Sequence, residues 1–287
     1  MRTRLPPRVA GTGGAALGLA AGAAAGLGVH VWRAADEIVR FPVWGPEELR
    51  DARAYHDPAQ FGVAPEEFVF VTRERHASRA GVVKYVGMLA RAGYDVLAYD
   101  QRRHGESEGR WTTWGAEESH DVSAAIDALA RVPGLDRSRL GIMGESMGAA
   151  IAILAAARDP RIRIVVADSS YTDLRSLFRH EAGRRYRFVP LVLVGPMLWL
   201  AGRRGHFRPG ELAPLQAIRR VAVPTLILHG GADAGIPVAA AHRLLAASPA
   251  APKRLHVFPG STHTFAFEDD PAAYARVVLE FVEANLG

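Results

Sequence analysis

A chain of 287 residues, 49% of them hydrophobic and 23% charged, suits one large domain and is too short for two ordinary domains plus a leading apolar segment. Arg2, Arg4 and Arg8 supply three of the five surplus positive charges, and no basic run alternates with aromatics, so the sequence argues against a nucleic-acid partner. With no cysteine, disulfides, thiol nucleophiles and cysteine-held metals are excluded.

From Val9 to Trp32 there is no Asp, Glu, Lys or Arg, while Arg33, Asp36, Glu37 and Arg40 follow. As a helix this stretch is long enough to span a bilayer, and the basic start would keep the N-terminus in the cytoplasm. The expectation is a membrane partner, through a transmembrane helix in residues 1–33, with a domain over 34–287 held outside the cytoplasm. A cleaved signal peptide with its site near Ala23-Ala24-Ala25, giving a secreted protein, and a loose Ala/Gly tail are the other readings.

Residues 34–67 mix charge, Pro and aromatics and are expected to wrap around the domain. Phe68–Thr72 reads as a strand, being β-branched and aromatic. A helix follows over Val82–Ala92, stopped by Gly93, and then a short apolar strand over Tyr94–Tyr99 that ends at Asp100. Ala116–Ala130 reads as an amphipathic helix, Leu140–Met143 as a strand, Met147–Arg158 as an Ala-rich helix and Ile162–Ala167 as a strand. The alternation resumes with a strand over Pro224–His229, a helix over Val238–Ala247, a strand over Arg254–Phe258 and a closing helix over Pro271–Leu286. Such alternation implies an α/β fold: a mostly parallel central sheet with helices on both faces and the active site at the carboxyl ends of the strands. Residues 171–215 break the pattern and read as a helical lid; their apolar run, Val189–Ala201, is interrupted by Pro190 and Pro196 and is too short to span a membrane comfortably.

Gly144-Glu145-Ser146-Met147-Gly148 fits G-x-S-x-G, between a predicted strand and a predicted helix. In so tight a turn, side chains at either glycine would collide with backbone, and the serine is driven into a strained conformation with its Oγ above the sheet. The Met147 N–H, at the start of the helix, can donate to a developing oxyanion. A serine hydroxyl needs a base, and the base needs an orienting acid. Asp233 and His263 follow in the required order, each just after a predicted strand. His120, His180, His206, His242 and His256 have no metal-ligand spacing with carboxylates, and the Gly-rich stretch Gly11–Gly28 lacks the Lys-Ser/Thr of a phosphate loop, so no cofactor or metal is expected.

From Val82 onward the chain resembles the α/β-hydrolase superfamily, of the serine aminopeptidase-like and small-esterase kind. The likeness is carried by Tyr94–Asp100, Arg102–Ser107, Gly144–Gly148, Leu226–Gly230 with Asp233, and Gly260 with His263. It implies a serine hydrolase that cleaves an ester, thioester or amide of a small-molecule or peptide substrate: Ser146 the nucleophile, Asp233 the orienting acid, His263 the base and then the acid. It assigns Asp100 and His104 to a structural turn, in which Arg103 replaces a common Gly. Serine at the elbow argues against the dehalogenase and epoxide hydrolase branches, which attack through a carboxylate.

One departure stands out. The family's strand ending in His-Gly, whose following loop gives the second oxyanion donor, has no counterpart before Val82. Either Phe68–Thr72 is the family's opening strand and about thirty residues are missing from the pattern, or it takes the place of the central strand and Arg73–Ser78 is the oxyanion loop. Loss of one donor removes about a hundred- to a thousandfold in rate, which leaves a catalytically impaired binding or regulatory protein as the alternative.

Overall fold

The structure, a computed structural model, describes residues 28–29, 31–36, 38–39, 69–70, 82–105, 107–131, 135–185 and 191–286. In chain order these form β1 (Val69–Phe70), α1 (Val83–Arg91), β2 (Leu97–Ala98), α2 (Glu118–Leu129), β3 (Leu140–Glu145), α3 (Met147–Ala156), β4 (Ile162–Asp168), α4 (Leu174–Arg185), α5 (Val194–Gly205), α6 (Pro214–Ala217), β5 (Thr225–Gly230), α7 (Ala239–Ala247), β6 (Lys253–Phe258), α8 (Ala266–Asp269) and α9 (Pro271–Leu286). Strands β3, β4, β5 and β6 make a parallel sheet in that order, with Ile142 opposite Val165, Val166 opposite Leu226, and Leu228 opposite His256.

Successive side chains of these strands alternate between two cores, as the pleat requires. Ile142, Val165, Ala167 and Ile227 join the core under α2 and α3. Met143, Ile164, Val166, Leu226 and Leu228 join the other, with Tyr85, Val86 and Met88 of α1 and Tyr274, Val277, Val278 and Phe281 of α9. Burial on both faces is why these strands read as continuous apolar runs. Helix α3 is buried from Met147 to Ala155, and its alanines let it lie close on the sheet. The result is the α/β-hydrolase fold that the sequence implied.

At the other end, β1 pairs in parallel with β2, Val69 opposite Leu97 and Phe70 opposite Ala98. It is β1, not β2, that approaches β3 closely. Among the described residues β1 and β2 form a two-stranded sheet apart from β3–β6, and the N-terminal part of the sheet is cut short. The loop expected over Arg73–Ser78 lies outside the described residues.

The membrane expectation is corrected. Among the described residues no helix is long and apolar enough to cross a membrane. The end of the apolar stretch and the residues just after it are helical at 28–29, 31–36 and 38–39, and the residues after it pack on the domain. Ala35, Ile38 and Val39 are buried in the α2–α3 core. Trp114 Nε1 donates to the Ile38 carbonyl at 2.9 Å, and Thr112 N to that of Val39 at 3.2 Å. Arg204 pairs with Asp36 at 2.8 Å and stacks over Trp32, its guanidinium carbon 4.5 Å from the ring centre. Apart from Trp32, these contacts fall on residues just after the charge-free stretch; within it, Val29 and Trp32 are each 52% exposed. The extracytoplasmic placement drawn from the anchor loses its basis; residues 9–27, with the signal site weighed at 23–25, lie outside the described residues.

The segment expected as a lid is helical, with α4 and α5 leading to α6. Its apolar run is two-sided: Val194, Leu198 and Ala201 are buried at helical spacing, while Val192 and Trp199 are 79% and 65% exposed. Pro196 stands in the first turn of α5, where a missing N–H costs nothing.

Candidate active site

Ser146 stands between β3 and α3 with φ 56° and ψ −112°, a region that L side chains rarely occupy. The turn closes so tightly that a Cβ on Gly144 would lie 2.1 Å from the Gly148 carbonyl oxygen. The Ser146 N–H donates to the Asp168 carbonyl at 2.7 Å, which ties the strained residue to β4. Met147 opens α3, so its N–H belongs to the first turn, where no intrahelical partner exists. The second donor, expected between Thr72 and Ser78, falls outside the described residues.

Asp233 follows β5 and His263 follows β6, and the structure brings both to Ser146. Ser146 Oγ is 2.9 Å from His263 Nε2. His263 Nδ1 is 2.6 Å from Asp233 Oδ2. A carboxylate only accepts, so the proton sits on Nδ1, leaving Nε2 to accept from the serine hydroxyl. Asp233 Oδ1 accepts the N–H groups of Gly235 and Ile236, both at 2.8 Å. Burial pushes the Asp233 pKa up, but the hydrogen bond and charge of His263, with the Ile236 N–H and His229, outweigh it and hold the pKa below the usual carboxylate value.

Two glycines allow the acid and base turns to meet. A Cβ on Gly230 would lie 2.4 Å from the Ser261 carbonyl oxygen, and one on Gly231 2.6 Å from that of Pro259. The turns are then joined by Gly231 N to Phe258 O at 2.7 Å and Ala232 N to Ser261 O at 2.9 Å. The Asp100–Ser107 segment, expected as a structural turn, carries local hydrogen bonds. Ser107 Oγ donates to the Asp100 carbonyl at 2.5 Å and His104 Nδ1 to that of Arg102 at 2.9 Å. Arg103 has φ 64°, which explains why glycine is common there.

Sequence reasoning passed over His229, four residues before Asp233. It is fully buried; its Nε2 donates to the Ile236 carbonyl at 2.7 Å and lies 3.5 Å from Asp233 Oδ2. A histidine at the last turn of a buried strand, four before the acid, was the available signal. Ser146 has no exposed surface, whereas the His263 side chain is 23% exposed. A cleft of about 170 Å³ opens between α4 and the turn after Asp233; its lining includes Tyr171, Leu177, His180, Ile236 and Arg243. Among the described residues no group of three His, Asp or Glu could hold a metal ion.

A family model described as "Alpha/beta hydrolase family" matches residues 68–277. The uncharacterized protein YqkD of Bacillus subtilis (strain 168) is 29% identical over 203 residues, 70% of this chain and 66% of that protein, so the chain spans just under two thirds of that relative. The uncharacterized protein Rv2307c of Mycobacterium tuberculosis is 26% identical over 287 residues, 92% of this chain and 91% of that one. Among solved structures, the Pyrococcus furiosus esterase Pf2001 superposes with a TM-score of 0.65 at 23% identity, covering 77% of this chain and 83% of that one, a likeness of fold.

Proposed function

The chain belongs to the alpha/beta hydrolase family, and from that premise we propose that it is a serine hydrolase cleaving an ester, thioester or amide through an acyl-enzyme on Ser146. One observation carries the proposal: the relay of 2.9 Å from Ser146 Oγ to His263 Nε2 and 2.6 Å from His263 Nδ1 to Asp233 Oδ2. Ser146 Oγ attacks the acyl carbon as its proton passes to His263 Nε2. Asp233, held by two backbone N–H groups, keeps the imidazole in the accepting tautomer and stabilises the imidazolium. The oxyanion is met by the Met147 N–H and the first turn of α3. His263 then protonates the leaving group, and water attacks the acyl-enzyme by the same relay in reverse.

A fluorophosphonate probe tests the assignment. Wild type should label on Ser146 and Ser146→Ala should not. A folded wild type that stays unlabelled would overturn the proposal in favour of a non-catalytic protein on this fold. The sequence likeness to serine aminopeptidases bears on the leaving group alone. A panel of p-nitrophenyl butyrate, an acyl thioester and aminoacyl p-nitroanilides, compared by kcat/KM, separates the three leaving-group classes.

A further inference from the structure

We infer that Lys84 is a positioning residue that fixes the nucleophile strand and the base turn relative to each other. The inference rests on the serine-hydrolase reading above and concerns how its two reacting side chains are held. Lys84 lies in the first turn of α1 and is 3% exposed. Its Nζ is 2.7 Å from Glu268 Oε1 and 3.8 Å from Glu145 Oε1. Glu145 immediately precedes Ser146; Glu268 stands in α8, five residues after His263. One ammonium, from a helix far from both in sequence, therefore bridges the two segments that must bring Ser146 Oγ and His263 Nε2 together.

The surroundings make the bridge stiff. Lys84 Nζ lies 4.6 Å from the Tyr85 ring centre and 5.6 Å from that of Phe267, the residue before Glu268. Tyr85 meets Phe267 edge-on and stacks on Tyr274, each pair at 5.5 Å. Tyr274 OH donates to Asp168 Oδ2 at 2.8 Å, and Asp168 stands opposite Glu145 in the sheet register. The Asp168 carbonyl is the group that holds the Ser146 N–H. Burial, and after it the charge of Glu145, pushes the Asp168 pKa up, so this end of the sheet carries an excess of acid that Lys84 offsets.

Stability alone is a poor reason for this arrangement. Taking an ammonium and carboxylates out of water costs several kcal/mol per ion, and an apolar cluster of similar volume commonly serves a core as well or better. What a directional pair with a buried ammonium supplies is register between elements. A triad needs that, because a 1 Å misplacement of reacting groups can cost about a hundredfold in rate.

The test compares Lys84→Met, Glu268→Gln, Lys84→Arg and the double variant Lys84→Met/Glu268→Gln with wild type. The readouts are kcat and KM for one ester, the rate constant of fluorophosphonate labelling, and the melting temperature. Lys84→Met should lower kcat and the labelling rate about tenfold or more with KM unchanged, and Lys84→Arg should recover part of the loss. The double variant leaves only Glu145 without its cation, where Lys84→Met leaves two carboxylates, so it should melt above Lys84→Met yet remain slow. A folded double variant with kcat and labelling within twofold of wild type would show the pair to be structural only and overturn the inference. Glu268→Gln keeps Lys84 beside Glu145, and a folded Glu268→Gln variant with wild-type kcat and labelling also overturns the inference. A wild type that does not label fails at the earlier step, on Ser146 itself.

Discussion

Replacing Asp233 by Asn changes one oxygen to an amide nitrogen, and the structure leaves that nitrogen no good place. Facing His263, the NH2 group meets Nδ1 across the 2.6 Å contact and can only donate. The imidazole proton must then move to Nε2, which would donate to Ser146 Oγ and could no longer take its proton. Facing the other way, the NH2 group meets the N–H donors of Gly235 and Ile236, now 2.8 Å from Oδ1. The buried Ile236 N–H and the part-buried Gly235 N–H would lose their acceptor, at about 1–3 kcal/mol for the buried one, so the first orientation wins. The same change in a chymotrypsin-type triad keeps the geometry and lowers kcat about 10⁴-fold, and a similar loss is expected here. That is about 5.4 kcal/mol of barrier. The assay is steady-state hydrolysis of p-nitrophenyl butyrate by enzyme titrated for folded protein, with a thermal melt as control. A variant that melts like wild type and keeps kcat within tenfold would refute the tautomer argument.

Gly230→Ala should destabilise by about 2 kcal/mol or more, because its Cβ would press on the Ser261 and Thr262 carbonyls. Urea midpoints measure this, and an unchanged midpoint would mean that the acid and base turns are not in close contact. Arg103→Gly should stabilise by about 1 kcal/mol, by relieving φ 64° at the loss of side-chain contacts that include a long hydrogen bond to the Val39 carbonyl. Calorimetry that finds an equal or lower melting temperature counts against that strain. Asp159 is held at about 2, below its ordinary 3.8, first by its hydrogen bond from Arg161. A depressed carboxylate stabilises above its unfolded pKa and loses that contribution as pH falls through the folded one. With Arg161 42% exposed, the benefit discounts to about 1 kcal/mol, so Asp159→Asn should cost about that at pH 7 and little near pH 2. An equal cost at both values would remove the charge from the explanation.

The elbow and its partners were legible because each rests on a local rule. Short apolar runs ending in turn residues marked β3, β5 and β6 to within about two residues at each end, since strands buried on both faces leave little else to read. Ser146, Asp233 and His263 followed from chain order at the ends of those strands, and the geometry brings all three together. Elsewhere the contacts that matter are long-range. Tyr94–Tyr99 reads as a strand, and among the described residues its pairing with β1 is seen at Leu97–Ala98. The membrane reading of the N-terminal segment rested on its lack of charge, which says nothing of how Ala35, Ile38 and Val39, just beyond the stretch, enter the core. Lys84, inside a helix of ordinary amphipathic spacing, looks like a solvated charge until Glu268, 184 residues later, is seen beside it.

The order in which the triad residues occur has a consequence for the protein's synthesis. Ser146 is followed by its base only 117 residues later. At about 5–20 residues per second, a ribosome takes roughly 6–23 s to cover that interval. For that time the nascent chain carries a serine with no imidazole to activate it, and β5 and β6 have yet to join the sheet. On the proposed mechanism, the chain can fold its first strands and the α3 helix before Ser146 can be acylated, and reactivity waits on the docking of β6, at the edge of the described four-stranded sheet.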